Sequence, residues 1–294
     1  MIFFVPMARP IFSGSLLLFL VLLFHKGYAD MFVGGDTTYT IQEGDSLILI
    51  GSRLGVNWQR IARENQMELD KPLKIGHRLK VNTKRIVPRS AESGIIVNIP
   101  DRMLYYLKEG KVASAFPVGL GKPDWETPTG AFTILGRERN PIWHVPLSIR
   151  EEVAAKGEII ERTILPGPDN PLGRYALRTS IAGLLLHETI WPTSVYQFRS
   201  HACIRILPEH MEKFFQDVRV GTQGEIIYEP VKVALTPEGR IFLEIHRDIY
   251  KKGSSVDSEV RKLFERRGLS GRVNWEKVDK VLQEKPDFAE DVTS

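Results

Sequence analysis

From Gly94 onward the chain is cut into short apolar runs by closely spaced turn signals, and that texture points to a mostly-β domain. Residues 95–99 (IIVNI) and 103–107 (MLYYL) flank a Pro100-Asp101 turn, and Lys108-Glu109-Gly110-Lys111 turns the chain into 112–118, giving a β-meander. Residues 119–121 and Thr127-Pro128-Thr129-Gly130 punctuate the sequence before another strand at 131–135. Residues 140–175 are rich in turns, with one short helix expected over about 148–155. Irregular regions of this length inside a β domain tend to form functional edges. Strands follow at 175–178 and 183–187, a helix opened by Pro208 runs to about 217, and 225–228 closes the sheet.

Within that domain, residues 187–205 read HETIWPTSVYQFRSHACIR and hold the only cysteine of the chain, Cys203. A lone cysteine excludes an internal disulfide, and its ordinary fate is that of a small buried hydrophobe. Here, however, His201 lies two positions before it, His187 sixteen before it and Arg205 two after it. A thiol beside imidazoles is the equipment of acyl transfer through a thioester, because imidazole removes the proton and stabilises the thiolate. His187 sits at a strand end, where a rigid element aims its ring, so it is the expected base, with a backbone carbonyl fixing its tautomer. His201 is expected to line the site. A zinc site would require further ligands, and His144, His210 and the acidic residues stand in no recognised spacing, so no metal or other cofactor is expected. Papain-like order is excluded as well, since there the cysteine precedes its histidine.

Residues 1–29 have the layout of an export signal. Arg9 supplies the positive end, residues 16–24 (LLLFLVLLF) the apolar core, and Gly27-Tyr28-Ala29 the small residues before a cleavage at Asp30. Nine helical residues reach about 14 Å, short of a roughly 30 Å hydrocarbon core. A retained signal anchor is the alternative, and either way the remainder is expected in the periplasm or cell wall. The net charge of +4, less Arg9 and Lys26, is +2, with no dense basic run, so nucleic acid is not an expected partner.

Residues 38–82 form a separate small unit. A strand at 39–41 precedes a Glu43-Gly44-Asp45-Ser46 turn and cap, Leu47, Ile50 and Leu54 recur at helical spacing, a second helix follows Asn57, and 79–81 returns as a strand. Residues 82–93 (NTKRIVPRSAES) read as a polar linker. Residues 230–294 form an extension: a hairpin at 232–235 and 240–245, helices near 256–267 and 274–283, and an acidic tail, 288–294, expected to fray. Packing or docking is its default role.

On YTIQEGDSL, LGVNWQRIARENQ and LKIGHRLKV, residues 38–82 resemble a LysM domain, which implies binding to N-acetylglucosamine-containing glycan, usually peptidoglycan. Residues 94–229 resemble the L,D-transpeptidase (YkuD-type) catalytic domain, whose family shows HGT followed by SHGC(I/V)R. The match rests on His187, fifteen intervening residues and Cys203, with Ser200-His201-Ala202-Cys203-Ile204-Arg205 around the thiol. Thr127-Pro128-Thr129-Gly130, Leu165-Pro166-Gly167, Asn170-Pro171-Leu172-Gly173 and Tyr175-Ala176-Leu177 support it. This resemblance implies a β-sandwich in which Cys203 attacks the carbonyl before the terminal D-alanine of a peptidoglycan stem peptide. His187 then acts as base and acid, and a stem amine takes the acyl group in a 3→3 cross-link. Backbone N–H groups near Cys203 would form the oxyanion hole, Arg205 would order the loop or bind an acidic group, and Ser200 and His201 complete the motif. Alternative acceptors are water, as in an L,D-carboxypeptidase, and a lysine of an envelope lipoprotein. A catalytically degenerate peptidoglycan-binding protein is the non-enzymatic alternative. Two positions depart from the family: Glu188 and Ala202 replace glycines. If position 202 needs a positive φ, alanine costs about 1 kcal/mol there. A Glu188 carboxylate near the site is expected to raise the pKa of His187.

Overall fold

A computed structural model describes residues 31–88, 93–253 and 255–294; the expected leader at 1–29 lies outside them. Among the described residues no helix is long and apolar enough to cross a membrane. The chain is mostly β with a few helices, and its largest sheet has nine strands. The long strand Lys111–Gly121 pairs along its first part with Met103–Lys108 and along its second with Ile204–Ile206. Eight strands therefore close into a ring, and Phe198–Ser200 is added outside it against Leu120 and Gly121. The two faces expected of a sandwich are one continuous sheet wrapped around Val97, Leu104, Val118, Ile134, Leu177, Leu186 and Ile204, none of them measurably exposed.

The helix Pro208–Asp217 closes one side of this core. Proline at its first position forfeits only an N–H that has no helical partner, and Glu209 in the first turn suits the helix dipole. It buries Met211, Phe214 and Phe215. The Phe214 ring meets Phe116 and Tyr106 edge-on, with centroids 5.3 and 5.7 Å away, the arrangement that aromatic quadrupoles favour.

The small N-terminal unit has the β-α-α-β order read from its sequence. Strands Asp36–Thr40 and Arg78–Asn82 pair antiparallel around helices Leu47–Leu54 and Trp58–Glu64. The Ser46 hydroxyl accepts from the Leu49 N–H, Asn57 caps the second helix through the Gln59 N–H, and Ile50, Ile61 and Leu79 are fully buried. The unit is seated on the large domain: the Ser52 hydroxyl donates to the Val195 carbonyl at 2.9 Å, and Arg53 faces Glu209 at 3.5 Å.

Two expectations from the sequence fail here. The stretch 82–93 is not simply a linker: Arg85–Ile86 forms a strand with Phe32–Val33, and Arg85, Ile86 and Val87 are buried. The Arg85 guanidinium donates to the Gly55 carbonyl and, at 3.0 Å, to the Tyr196 hydroxyl, so a residue that reads as a solvated charge is instead a bolt between units. The acidic tail does not fray. Glu290–Asp291 pairs onto the strand Ile241–Ile245, and Phe288, Ala289 and Val292 are buried, because the tail's few apolar side chains all find the core.

The extension builds its own core from Ile241, Leu243, Val260, Phe264 and Val278, with helices Val256–Arg266 and Trp275–Glu284 laid over the hairpin Val231–Leu235 and Ile241–Ile245. Where it meets the ring, Lys232 Nζ lies 2.7 Å from Asp101, 2.8 Å from Glu244 and 2.7 Å from the Ile86 carbonyl. His246 adds a contact to Glu244 at 2.7 Å. Asp101, Glu244 and His246 stand close enough together to hold a metal ion, but the Lys232 ammonium already bridges the two carboxylates.

Candidate active site

The site begins with strand register. Leu185–Glu188 runs parallel to Ile204–Ile206, with Leu186 opposite Ile204 and His187 opposite Arg205. Side chains alternate along a strand, so Leu186, Ile204 and Ile206 point into the core while His187, Cys203 and Arg205 share the opposite face. That face floors a cavity of about 950 Å³. Trp125, Trp143, Ile149, Ile164 and Trp191 contribute apolar walls, and Arg178, His187, His201, Cys203 and Arg205 contribute the chemistry.

His187 is buried, and its Nδ1 donates to the carbonyl of Glu188 at 2.6 Å. A carbonyl can only accept, so the proton sits on Nδ1 and Nε2 keeps the lone pair. Burial above all, with the nearby Arg205 charge, pulls the His187 pKa down to about 4, although the carbonyls of Glu188 and Pro171 favour the protonated ring. The imidazole is therefore neutral at pH 7.

The expectation that Glu188 raises this pKa is overturned by where its side chain goes. The carboxylate turns away from the imidazole to Arg174, 3.3 Å from Nε. Gly173 makes room for it: at φ +64°, a Cβ there would sit 2.7 Å from the Cβ and Cγ of Glu188.

Cys203 is half-buried, and its Sγ faces the Gly183 carbonyl at 3.6 Å. Burial pushes the thiol pKa up, against smaller opposing contributions from the Leu185 backbone and Arg205. The thiol and the imidazole are thus both neutral at rest, and no hydrogen bond joins them among the described residues.

The loop carrying the thiol is held from several sides. Buried Ser200 donates to the Cys203 carbonyl at 2.5 Å. Ala202 has φ +74°, the left-handed region that costs an alanine about 1 kcal/mol, and its carbonyl accepts from the Thr127 hydroxyl at 2.8 Å. His201 lines the cavity wall: its Nε2 lies 2.7 Å from Glu152, and its ring stands edge-on to Trp125. Glu152, on the helix Leu147–Ala155, also binds Lys122 at 3.0 Å and Lys156 at 3.0 Å, and these contacts with His201 hold its pKa down to about 2. The turn-rich region is thereby latched onto the motif loop. The Arg205 guanidinium lies 5.2 Å from the centre of the Trp191 ring and makes no ion pair among the described residues.

All seven residues singled out in the sequence fall in or around this site. Glu152 was missed, because nothing local ties a helical carboxylate to a histidine 49 positions away.

Comparison with known proteins agrees with this architecture. Residues 92–233 match the L,D-transpeptidase catalytic domain family (YkuD), and residues 39–82 match the LysM domain family. The chain is 30% identical over 226 residues to Probable L,D-transpeptidase YbiS of Escherichia coli, covering 74% of this chain and 72% of YbiS. It is 32% identical over 190 residues to Probable L,D-transpeptidase ErfK/SrfK of the same organism, covering 63% of this chain and 60% of that relative's length. The solved catalytic domain of the E. faecium L,D-transpeptidase aligns with 47% of the chain at 22% identity and a TM-score of 0.35. The chain belongs to the L,D-transpeptidase family and carries a LysM domain ahead of its catalytic domain.

Proposed function

We propose that the chain is a peptidoglycan L,D-transpeptidase that works through a Cys203 thioester. The observation that carries this reading is the Nδ1–H of His187 held by the Glu188 carbonyl, on the same sheet face as Cys203. That bond leaves Nε2 as the basic nitrogen in the cavity. In the proposed first half-reaction, Sγ attacks the carbonyl carbon before the terminal D-alanine as its proton passes to Nε2. The C–N bond then breaks, the imidazolium returns that proton to the departing amine, and D-alanine leaves with the stem bound as a thioester. In the second, a stem side-chain amine attacks the thioester, loses its proton through His187 and expels the sulfur. The product is an amide cross-link, and the thiol is regenerated.

The backbone N–H groups of Ala202 and Cys203 lie between strands, outside any ladder, and are the proposed oxyanion donors. Arg205, which has no carboxylate partner among the described residues, is suited to an acidic group of the stem. The LysM domain is assigned glycan binding, with both substrates outside the cytoplasm. Water or a lysine of an envelope lipoprotein would use the same thioester and differ only in the second step.

Mass spectrometry of purified tetrapeptide muropeptides incubated with the protein tests the reading. Release of D-alanine with dimer formation by wild type, and neither by Cys203→Ala, is the expected result. Absence of turnover by wild type would leave a binding protein with a degenerate domain. Hydrolysis without dimers would make it a carboxypeptidase.

A further inference from the structure

We infer that Tyr250, in the extension beyond the matched catalytic domain, is a positioning residue that aims the Cys203 N–H; this rests on the proposed thioester chemistry. The Tyr250 hydroxyl is buried against the motif's supporting turn, donating to the Gly121 carbonyl at 2.6 Å and accepting from the Thr127 N–H at 3.2 Å. Thr127 passes the constraint on. Its own hydroxyl accepts from the Gly121 N–H at 2.9 Å and donates to the Ala202 carbonyl at 2.8 Å. A trans peptide is planar, with its carbonyl and the next N–H pointing in opposite directions. Whatever fixes the Ala202 carbonyl therefore fixes the direction of the Cys203 N–H. Ala202 has no conformational preference for φ +74°, so that orientation depends on an outside grip.

The segment presenting Tyr250 is itself tied down. Asp248 accepts from the Lys252 and Gly253 N–H groups at 3.0 Å each and from the Tyr228 hydroxyl at 2.5 Å, while the Tyr250 N–H donates to that same hydroxyl at 2.9 Å. Lys252 pairs with Glu126 at 2.7 Å, joining the segment to the turn that precedes Thr127. The Tyr250 ring packs edge-on to Phe198 and stacks on Tyr228. The extension thus reaches the thiol loop through one hydroxyl and one threonine.

The test is a cycle of Tyr250→Phe, Thr127→Val and the double variant in the full chain. The readouts are kcat and KM for D-alanine release, the alkylation rate of Cys203 by iodoacetamide, and Tm. Tyr250→Phe keeps the ring packing and removes only the hydroxyl. It is expected to lower kcat about tenfold with KM within twofold, a part of the roughly hundredfold or greater loss that removal of an oxyanion donor causes, because the donor stays and only its aim is loosened. Thr127→Val should do the same, and the double variant should be no worse than the poorer single variant, because both act through one relay. Unchanged kcat in Tyr250→Phe, multiplied losses in the double variant, or losses that track Tm would each overturn the inference. If wild type releases no D-alanine, the enzymatic reading fails. The relay is then judged by whether the alkylation rates show the same non-additive pattern.

Discussion

The Nδ1 of His187 and the carbonyl of the next residue, Glu188, lie 2.6 Å apart, a bond made entirely within one strand end. Because the acceptor is backbone, replacing the family's glycine by glutamate leaves it intact. The cost of this arrangement is borne by the ring's burial, and it sets a pH dependence. The folded pKa is depressed, so the stabilising contribution is complete above the unfolded value of 6.5 and is lost as pH falls towards about 4. The loss amounts to about 3 kcal/mol. Denaturant unfolding from pH 7 to pH 4 should show wild type losing that much more stability than His187→Gln; parallel curves would contradict it.

Cys203 is the only cysteine, so a thiol-specific label reports on it alone. With its pKa raised by burial, the free protein holds little thiolate at neutral pH. The iodoacetamide rate should climb close to tenfold per pH unit and still be rising at pH 9. A plateau near pH 7 would mean that the thiol and imidazole already form an ion pair at rest.

Gly173 and Glu188 depend on each other. Gly173→Ala places a Cβ 2.7 Å from Glu188 carbons at φ +64° and should cost about 2–3 kcal/mol, from the left-handed backbone and the clash together. In a Glu188→Gly background the clash disappears and only the backbone cost of about 1 kcal/mol remains. Equal losses in both backgrounds, measured by urea denaturation, would show that the two residues are not coupled.

Lys232 holds two fully buried carboxylates. Lys232→Met removes the ammonium from between Asp101 and Glu244 and should destabilise the chain by about 3–5 kcal/mol. A loss below about 1 kcal/mol would show that His246, 2.7 Å from Glu244, and Arg85, 3.8 Å from it, suffice to balance that carboxylate. The measurement is the denaturation midpoint at pH 7.

The fold was legible where the signal was local. Pro208 at a helix start, Ser46 and Asn57 as caps, and the apolar runs on either side of the turn at Pro100-Asp101 each act within a few residues, and each element forms where its pattern lies. The thiol and imidazole were legible because their spacing follows from two adjacent parallel strands. What escaped was long-range. Arg85 reads as a loop charge until Gly55 and Tyr196 surround it, and the acidic tail reads as solvent-bound until Phe288 and Val292 find a core. Glu152 and Tyr250 meet partners 49 and 123 positions away, His201 and Thr127, and no window along the sequence contains both members of either pair.

The seating of the N-terminal unit has a geometric consequence. Ser52 on Val195, Arg53 against Glu209 and Arg85 between Gly55 and Tyr196 clamp that unit at three separate points. With glycan held at one end and a stem peptide at the other, as proposed, the protein would behave as a caliper rather than a tether. Which stem along a sugar strand meets Cys203 would then be set by a fixed offset, and not by the reach of a flexible arm.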